Sequence, residues 1–190
     1  VLSIAPTFAR QVAEMALGMA IASGREIPLG DRLFREGKEK YLHAGNETTF
    51  MLYDKPVGFV GFGSIAKALK PLLQPFNVTM VAYDPWLTDG YIRSQGVRPV
   101  GIEELLETSK YIFVVAAPTK ENKAFLNRDL LGRIQKDAVL LLMSRAHVVD
   151  FDALTEYALA GRFRVATDVL PTEPLDPHHP IRNAENVILS

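Results

Sequence analysis

The chain has 190 residues, 48% of them hydrophobic and 23% charged, with a formal net charge of −1. That balance excludes disorder as the default state, and the near-neutral charge gives no reason to expect nucleic acid or an anionic membrane surface as a partner. With no cysteine, disulfide staples, cysteine-ligated zinc and thiol catalysis are excluded, and a cytoplasmic location is expected. The opening Val1-Leu2-Ser3 lacks the basic stretch and apolar run of a secretory leader. No apolar run approaches the roughly 20 residues of a membrane span, so no membrane partner is expected. The first residue is not Met, which reads as a fragment of a longer protein.

Residues 6–23 predict a helix. Pro6 stands near its start, and Phe8, Val12, Met15, Ala16, Met19 and Ala20 recur at helical spacing. Ala9, Ala13, Ala16, Gly18, Ala20 and Ala22 make it rich in small residues. Such a helix is buried on more than one side or packs closely on another helix. The covering surface is either this domain's own core or a second copy in a homodimer. From Gly24 to Tyr41 the chain turns polar and basic, with Arg25, Arg32, Arg35, Lys38 and Lys40, and reads as a solvated segment. Residues 45–54 form a connecting loop.

Residues 56–84 organise everything that follows. Pro56-Val57-Gly58-Phe59-Val60 is a β-rich run that enters Gly61-x-Gly63-x-x-Ala66, and a helical pattern of Ile65, Leu69, Leu72, Leu73 and Phe76 follows. A second β-rich run ends in Tyr83-Asp84-Pro85, with Asp84 placed 18 residues after Ala66. This is the dinucleotide fingerprint with Ala at its third position. Gly61 permits a tight turn, Gly63 lets backbone approach a pyrophosphate, and Ala66 keeps helix and strand close. The free N–H groups at Ser64 and Ile65, aided by the helix dipole, face the phosphates. An acid at 84 accepts ribose hydroxyls and repels a 2′-phosphate, which favours NAD over NADP as cofactor.

Beyond Asp84, residues 85–96 read as a loop or short helix, and Ile102-Glu103-Glu104-Leu105-Leu106 as an amphipathic helix. Residues 111–116 are a strand buried on both faces, broken by Ala117-Pro118-Thr119. Residues 127–134 are a helix capped by Asn127. Residues 138–143 are another buried strand, which ends at Ser144-Arg145-Ala146-His147. A helix opens at Asp150 and closes at Gly161. Residues 163–167 are a strand ending at Asp168, and Val187-Ile188-Leu189 is the last strand. Strands alternating with helices predict an α/β fold, a doubly wound parallel (Rossmann) sheet with the small-residue helix at its N-terminal side. All 190 residues form one such domain, with residues 1–55 packed on it. Its strand ends should converge on one crevice.

Three side chains at those ends carry chemistry. A guanidinium at Arg145 can clamp a carboxylate bidentately and polarise a carbonyl. Carboxylates at Asp168 and Glu173 can bind a carboxamide or orient an imidazole. Composition by itself makes Arg145 a surface residue, and makes the Asp168–Glu173 stretch a turn between prolines.

Taken together and in order, several motifs resemble the NAD-dependent D-isomer-specific 2-hydroxyacid dehydrogenases. They are Val12-Ala13-Glu14, Gly61-Phe62-Gly63-Ser64-Ile65-Ala66, Tyr83-Asp84-Pro85, Ser144-Arg145 with Val148-Val149-Asp150, Asp168 through Glu173-Pro174-Leu175, His179-Pro180-Ile181 and Asn186-Val187-Ile188-Leu189. The resemblance implies that Ser64 and Ile65 contact the pyrophosphate and Asp84 the adenosine ribose. Ala117 and Pro118 line the cofactor by backbone. Met143, Ser144 and Arg145 flank the nicotinamide ribose, and Arg145 also binds the carboxylate and keto oxygen of a small 2-hydroxy or 2-keto acid. Asp168 holds the carboxamide, and Glu173 orients and charges a catalytic histidine. No metal is implied. NAD-sensing corepressors of the same fold are the alternative. Three departures from the family stand out. The catalytic histidine is expected beyond Ser190. Ala146 and His147 stand where two glycines are usual, and a side chain there can narrow the cofactor or substrate pocket. The substrate domain is expected from residues outside this block.

Overall fold

The computed structural model describes residues 5–190, so the reading of Val1-Leu2-Ser3 lies outside it. Helix α1 (Ala5–Gly24) covers the predicted span. Its alanines 9, 13, 16 and 20 recur one and two turns apart and are buried. They let the helix lie close against α3 (Ser64–Leu73). Two residues of the predicted apolar stripe behave otherwise: Phe8 is 54% and Met15 45% exposed. Each sits about 100° around the helix from an alanine of the packed face, so the stripe is two faces and the domain covers one of them.

Helix α2 (Ile27–Arg35) buries no residue, as its charge run requires. It carries an Asp31–Arg35 pair one turn apart.

The strands are β1 (Pro56–Val60), β2 (Thr79–Tyr83), β3 (Arg98–Pro99), β4 (Tyr111–Val114), β5 (Val139–Leu142), β6 (Arg164–Thr167) and β7 (Val187–Leu189). All pair in parallel, in the order β3-β2-β1-β4-β5-β6-β7. Between them run α3, α4 (Asp89–Ser94), α5 (Ile102–Thr108), α6 (Arg128–Gly132) and α7 (Phe151–Leu159). The chain order reverses at β1/β4, which is the switch point of a doubly wound sheet.

Two apolar layers result. One packs α1, α3 and α4 on the face carrying Val57, Phe59, Phe113 and Leu141. The other packs α5, α6 and α7 on the face carrying Val60, Ile112, Val114 and Leu140. Because both faces are covered, the central strands read as unbroken apolar runs.

Sequence and structure differ in small ways. The two-residue β3 carries no periodic signal, and its Pro99 argues for an edge position. Strands predicted at 111–116 and 138–143 end at Val114 and Leu142, because the chain turns there into loops. Leu72 of the predicted apolar face is 38% exposed, while Ala66, Leu69 and Leu73 are the buried set of α3. The caps match: the side chain of Asn127 accepts from Leu130 N–H, and that of Asp150 from Ala153 N–H. Gly161 adopts a φ of 64° just past α7.

At the N-terminal ends of the strands, Arg164 ties α1 to the sheet. Its guanidinium donates to the carbonyls of Ser23 (2.7 Å) and Thr48 (2.6 Å) and pairs with Glu26 (2.6 Å). A cation at the carbonyl end of α1 also complements its dipole. The neighbouring recess of about 210 Å³ therefore opens onto a charge already committed to holding the fold.

Candidate functional site

The strand register brings the candidate residues to one edge. Val60, Tyr83, Val114, Leu142 and Thr167 lie in a single row across the sheet. The next residue of each strand is therefore Gly61, Asp84, Val115, Met143 or Asp168, all at the carboxyl edge.

At β1 the chain turns through Gly61, whose φ is 90° and whose N–H donates to Tyr83 O at 2.8 Å. A Cβ at Gly61 would stand 2.5 Å from the Cα of Ala116, so this turn admits glycine alone. Gly63 is different. Its φ is −83°, and a Cβ there would meet nothing within 4 Å. Helix α3 starts beside it, with Lys67 N–H donating to Gly63 O as the first helical bond. The N–H groups of Ser64, Ile65 and Ala66 thus have no partner within the helix.

Asp84 holds this turn in place. One carboxylate oxygen accepts from Phe62 N–H (2.8 Å), the other from Trp86 N–H (2.9 Å). A carboxylate offers about four lone-pair sites, so acceptor capacity remains.

On the other side of the switch point, the loop after β4 carries exposed Ala117 and Pro118. Asn122 braces it from within: its amide donates to Ala117 O and accepts from Thr119 N–H, each at 2.8 Å. Asn122 was not singled out by sequence. A Thr-x-x-Asn pattern in a polar loop is the turn chemistry that would have pointed to it.

After β5, Met143 is buried and its N–H donates to Val114 O. Arg145 is exposed, and its guanidinium donates to Ser144 O at 3.1 Å. Ala146 is 6% exposed and packs into the apolar layer below the site, and His147 bonds to the carbonyl of Thr119 at 2.8 Å. Neither residue has the positive φ that would demand glycine.

After β6, burial pushes the Asp168 carboxyl above its ordinary value. Its own backbone N–H and the Arg145 charge pull it down, and Glu173 pushes it up. Glu173 is exposed and accepts from Leu170 N–H at 3.3 Å. His179 accepts from Ile181 N–H and packs edge-on to Phe151, so it serves the turn before β7. Among the described residues no cluster of metal-ligating side chains occurs, and no helix is long and apolar enough to cross a membrane.

Residues 17–190 match the family described as D-isomer specific 2-hydroxyacid dehydrogenase, NAD binding domain. The chain belongs to this family. Its cofactor is accordingly NAD. Among curated relatives, the glyoxylate reductase of Korarchaeum cryptofilum is 31% identical over 94% of this chain and 54% of its own length. The D-3-phosphoglycerate dehydrogenase of Archaeoglobus fulgidus is 29% identical over 93% of this chain and 33% of its own. Among solved structures, a phosphoglycerate oxidoreductase from Rhizobium etli superposes with a TM-score of 0.92 at 37% identity, covering 100% of this chain and 61% of that one. An NAD-dependent formate dehydrogenase from Staphylococcus aureus, in complex with NAD, gives 0.87 at 29% identity, covering 97% and 56%. The chain thus spans about half the length of several of the dehydrogenases it matches, and a third of others.

The residues present fit a dinucleotide. Ser144 Oγ and Asp168 Oδ1 are buried without a hydrogen-bond partner among the described residues. Both stand at the carboxyl edge of the sheet, where open α/β folds leave a crevice, and buried polar atoms of this kind call for a partner. The open space at Gly63 is the second mark, because the protein's own packing does not explain a glycine there.

The raised Asp168 carboxyl yields a stability prediction. Its folded-state pKa lies above the unfolded value, so between the two the folded state holds the extra proton, and stability declines as pH rises through that window. Asp168→Asn is expected to raise the melting temperature of the ligand-free protein at pH 7. The gain should vanish below the ordinary carboxylate range, where both states are protonated. Thermal denaturation across pH 3 to 8 checks this; an equal shift at every pH would mean that the charge is not the cause.

Proposed function

We propose that this chain is the cofactor half of a dehydrogenase that interconverts small 2-hydroxy and 2-keto acids, its substrate domain being supplied by sequence outside residues 1–190. Arg145 forks onto the substrate carboxylate and directs a donor at the keto oxygen. Asp168 accepts from the carboxamide of the cofactor, and Ser144 and Met143 flank the adjoining ribose. Ala117 and Pro118 line the dinucleotide, the N–H groups of Ser64 and Ile65 take its diphosphate, and Asp84 takes the adenosine ribose. Glu173 accepts from the ring N–H of a histidine beyond Ser190 and favours its charged form, so that this imidazole delivers or removes the hydroxyl proton. The nicotinamide, when bound, accepts or donates the hydride. The single observation behind the reading is that the parallel register brings the Gly61 turn, Asp84, Met143 and Asp168 to one carboxyl edge, where Ser144 Oγ and Asp168 Oδ1 are buried without a hydrogen-bond partner among the described residues.

The exposed face of α1 with Phe8 and Met15 is the surface offered to a second copy in a homodimer. The absence of cysteine supports a cytoplasmic setting.

The test is cofactor choice. Asp84→Ala is expected to weaken NAD binding about tenfold or more and to narrow its preference over NADP, because a charge-assisted hydrogen bond and a like-charge repulsion both disappear. Asp84→Asn keeps an acceptor for Phe62 N–H while dropping the charge, so it should narrow the preference with less damage to the turn. Fluorescence titration with both cofactors reads the outcome. An unchanged preference in both variants would remove Asp84 from cofactor selection.

A further inference from the structure

We infer that His147 is a positioning residue that sets the gap between the two loops lining the nicotinamide half of the cofactor. The inference rests on the cofactor reading above and extends it to a residue with no role there.

The loop after β4 is anchored unevenly. Its far part, from Ala124 onward, is stitched to the segment after β5 by backbone: Ala124 N–H donates to His147 O, Leu126 N–H to Val148 O, and Asp150 N–H to Leu126 O. Its near part, residues 117–122, includes Ala117 and Pro118 and is braced internally by Asn122. Across to the segment after β5, the side-chain bond that reaches this near part runs from His147 to the carbonyl of Thr119 at 2.8 Å. A carbonyl oxygen has no proton to give, so Nε2 of His147 carries the hydrogen and donates it. An imidazole is a stiff spacer with few rotatable bonds, so this bond fixes a distance as well as adding an attraction.

Position matters as much as the bond. β4 and β5 are neighbours, and both lie on the opposite side of β1 from β2. Asp84 and the Gly61 turn sit at the ends of β2 and β1. His147 therefore props open, at a set width, the half of the crevice away from the adenosine end. It immediately follows Arg145 and Ala146, so the same segment presents the guanidinium and carries the strut.

The distinction between halves of the cofactor supplies the experiment. In the complete protein, His147→Ala is expected to weaken NAD binding about tenfold, the equivalent of one net hydrogen bond. ADP, which lacks the nicotinamide nucleoside, should lose less than about twofold, and the melting temperature should hold within a few degrees. His147→Gln, whose amide N–H2 reaches about as far as Nε2, should recover most of the NAD affinity. In steady-state kinetics the KM for NAD should rise and that for the acid substrate should not. Calorimetric titration of parent, Ala and Gln proteins with NAD and with ADP reads the first two points. Unchanged NAD affinity in the Ala protein, a parallel loss of ADP, or a Gln protein as weak as the Ala one would each overturn the inference. A parent protein that binds neither ligand would instead overturn the cofactor reading beneath it.

Discussion

Gly61→Ala is expected to cost the folded protein about 3 kcal/mol or more and to lower its melting temperature by roughly 6–12 °C. Two separate penalties add. The backbone φ of 90° suits glycine and strains any residue with a Cβ. The new methyl would also stand 2.5 Å from Ala116 Cα and 2.6 Å from its N. Those are backbone atoms at the end of β4, so no side chain can swing aside, and the two central strand ends would have to part. Gly63→Ala is the matched control. Its φ of −83° is open to every residue and its Cβ would meet nothing within 4 Å, so the melting temperature should move by no more than a few degrees. NAD binding should nevertheless fall by an order of magnitude or more, because the methyl occupies the space where diphosphate would meet the N–H groups of Ser64 and Ile65. Melting curves and NAD titrations on the two proteins give opposite patterns if the turn is a cradle. Normal NAD binding by Gly63→Ala would empty that cradle of meaning.

The same pair shows what could be read before any coordinates. That both positions are glycine follows from the fingerprint; that one glycine serves the chain and the other serves a ligand does not, because it depends on Ala116, a residue 55 positions further on. The fold was legible wherever burial is two-sided. β4 and β5 are short and wholly buried, so their apolar runs announce them. Edges and surfaces were not. β3 is too short for a pattern, and α1 mixes a packed alanine face with an exposed one bearing Phe8 and Met15, which linear spacing reads as one stripe. For the site, the strand ends were foreseen as a set because parallel pairing puts every carboxyl end on one edge. The braces were not. Asn122 and the His147–Thr119 bond join residues whose proximity is created by loop conformation. Nor could the sequence show that Ala146 and His147 have ordinary φ values, or that the methyl of Ala146 has room in the core.

Arg145→Lys in the complete enzyme is expected to lower kcat/KM for a 2-keto acid by about 10²–10³-fold, or roughly 3–4 kcal/mol of transition-state stabilisation. The substitution keeps the charge and removes the fork. The guanidinium spends one N–H on Ser144 O and is otherwise exposed, which leaves donors on a rigid plane for a carboxylate and a keto oxygen together. An ammonium can meet one of them well or both badly. Retaining the charge is what makes the variant informative. Arg145 also pulls down the Asp168 carboxyl, so Arg145→Ala would release that carboxyl upward and disturb cofactor and substrate together. Arg145→Lys leaves a cation near Asp168, and its NAD affinity should stay within a few fold of the parent. The loss should fall on both kinetic constants for the acid: KM rises because the bidentate clamp is gone, and kcat drops because the keto oxygen loses a donor as it gains charge. Steady-state kinetics with varied keto acid at saturating NADH separates the two. A lysine enzyme within a few fold of the parent would take Arg145 out of the reaction and leave the carboxyl edge a cofactor site with no substrate grip of its own.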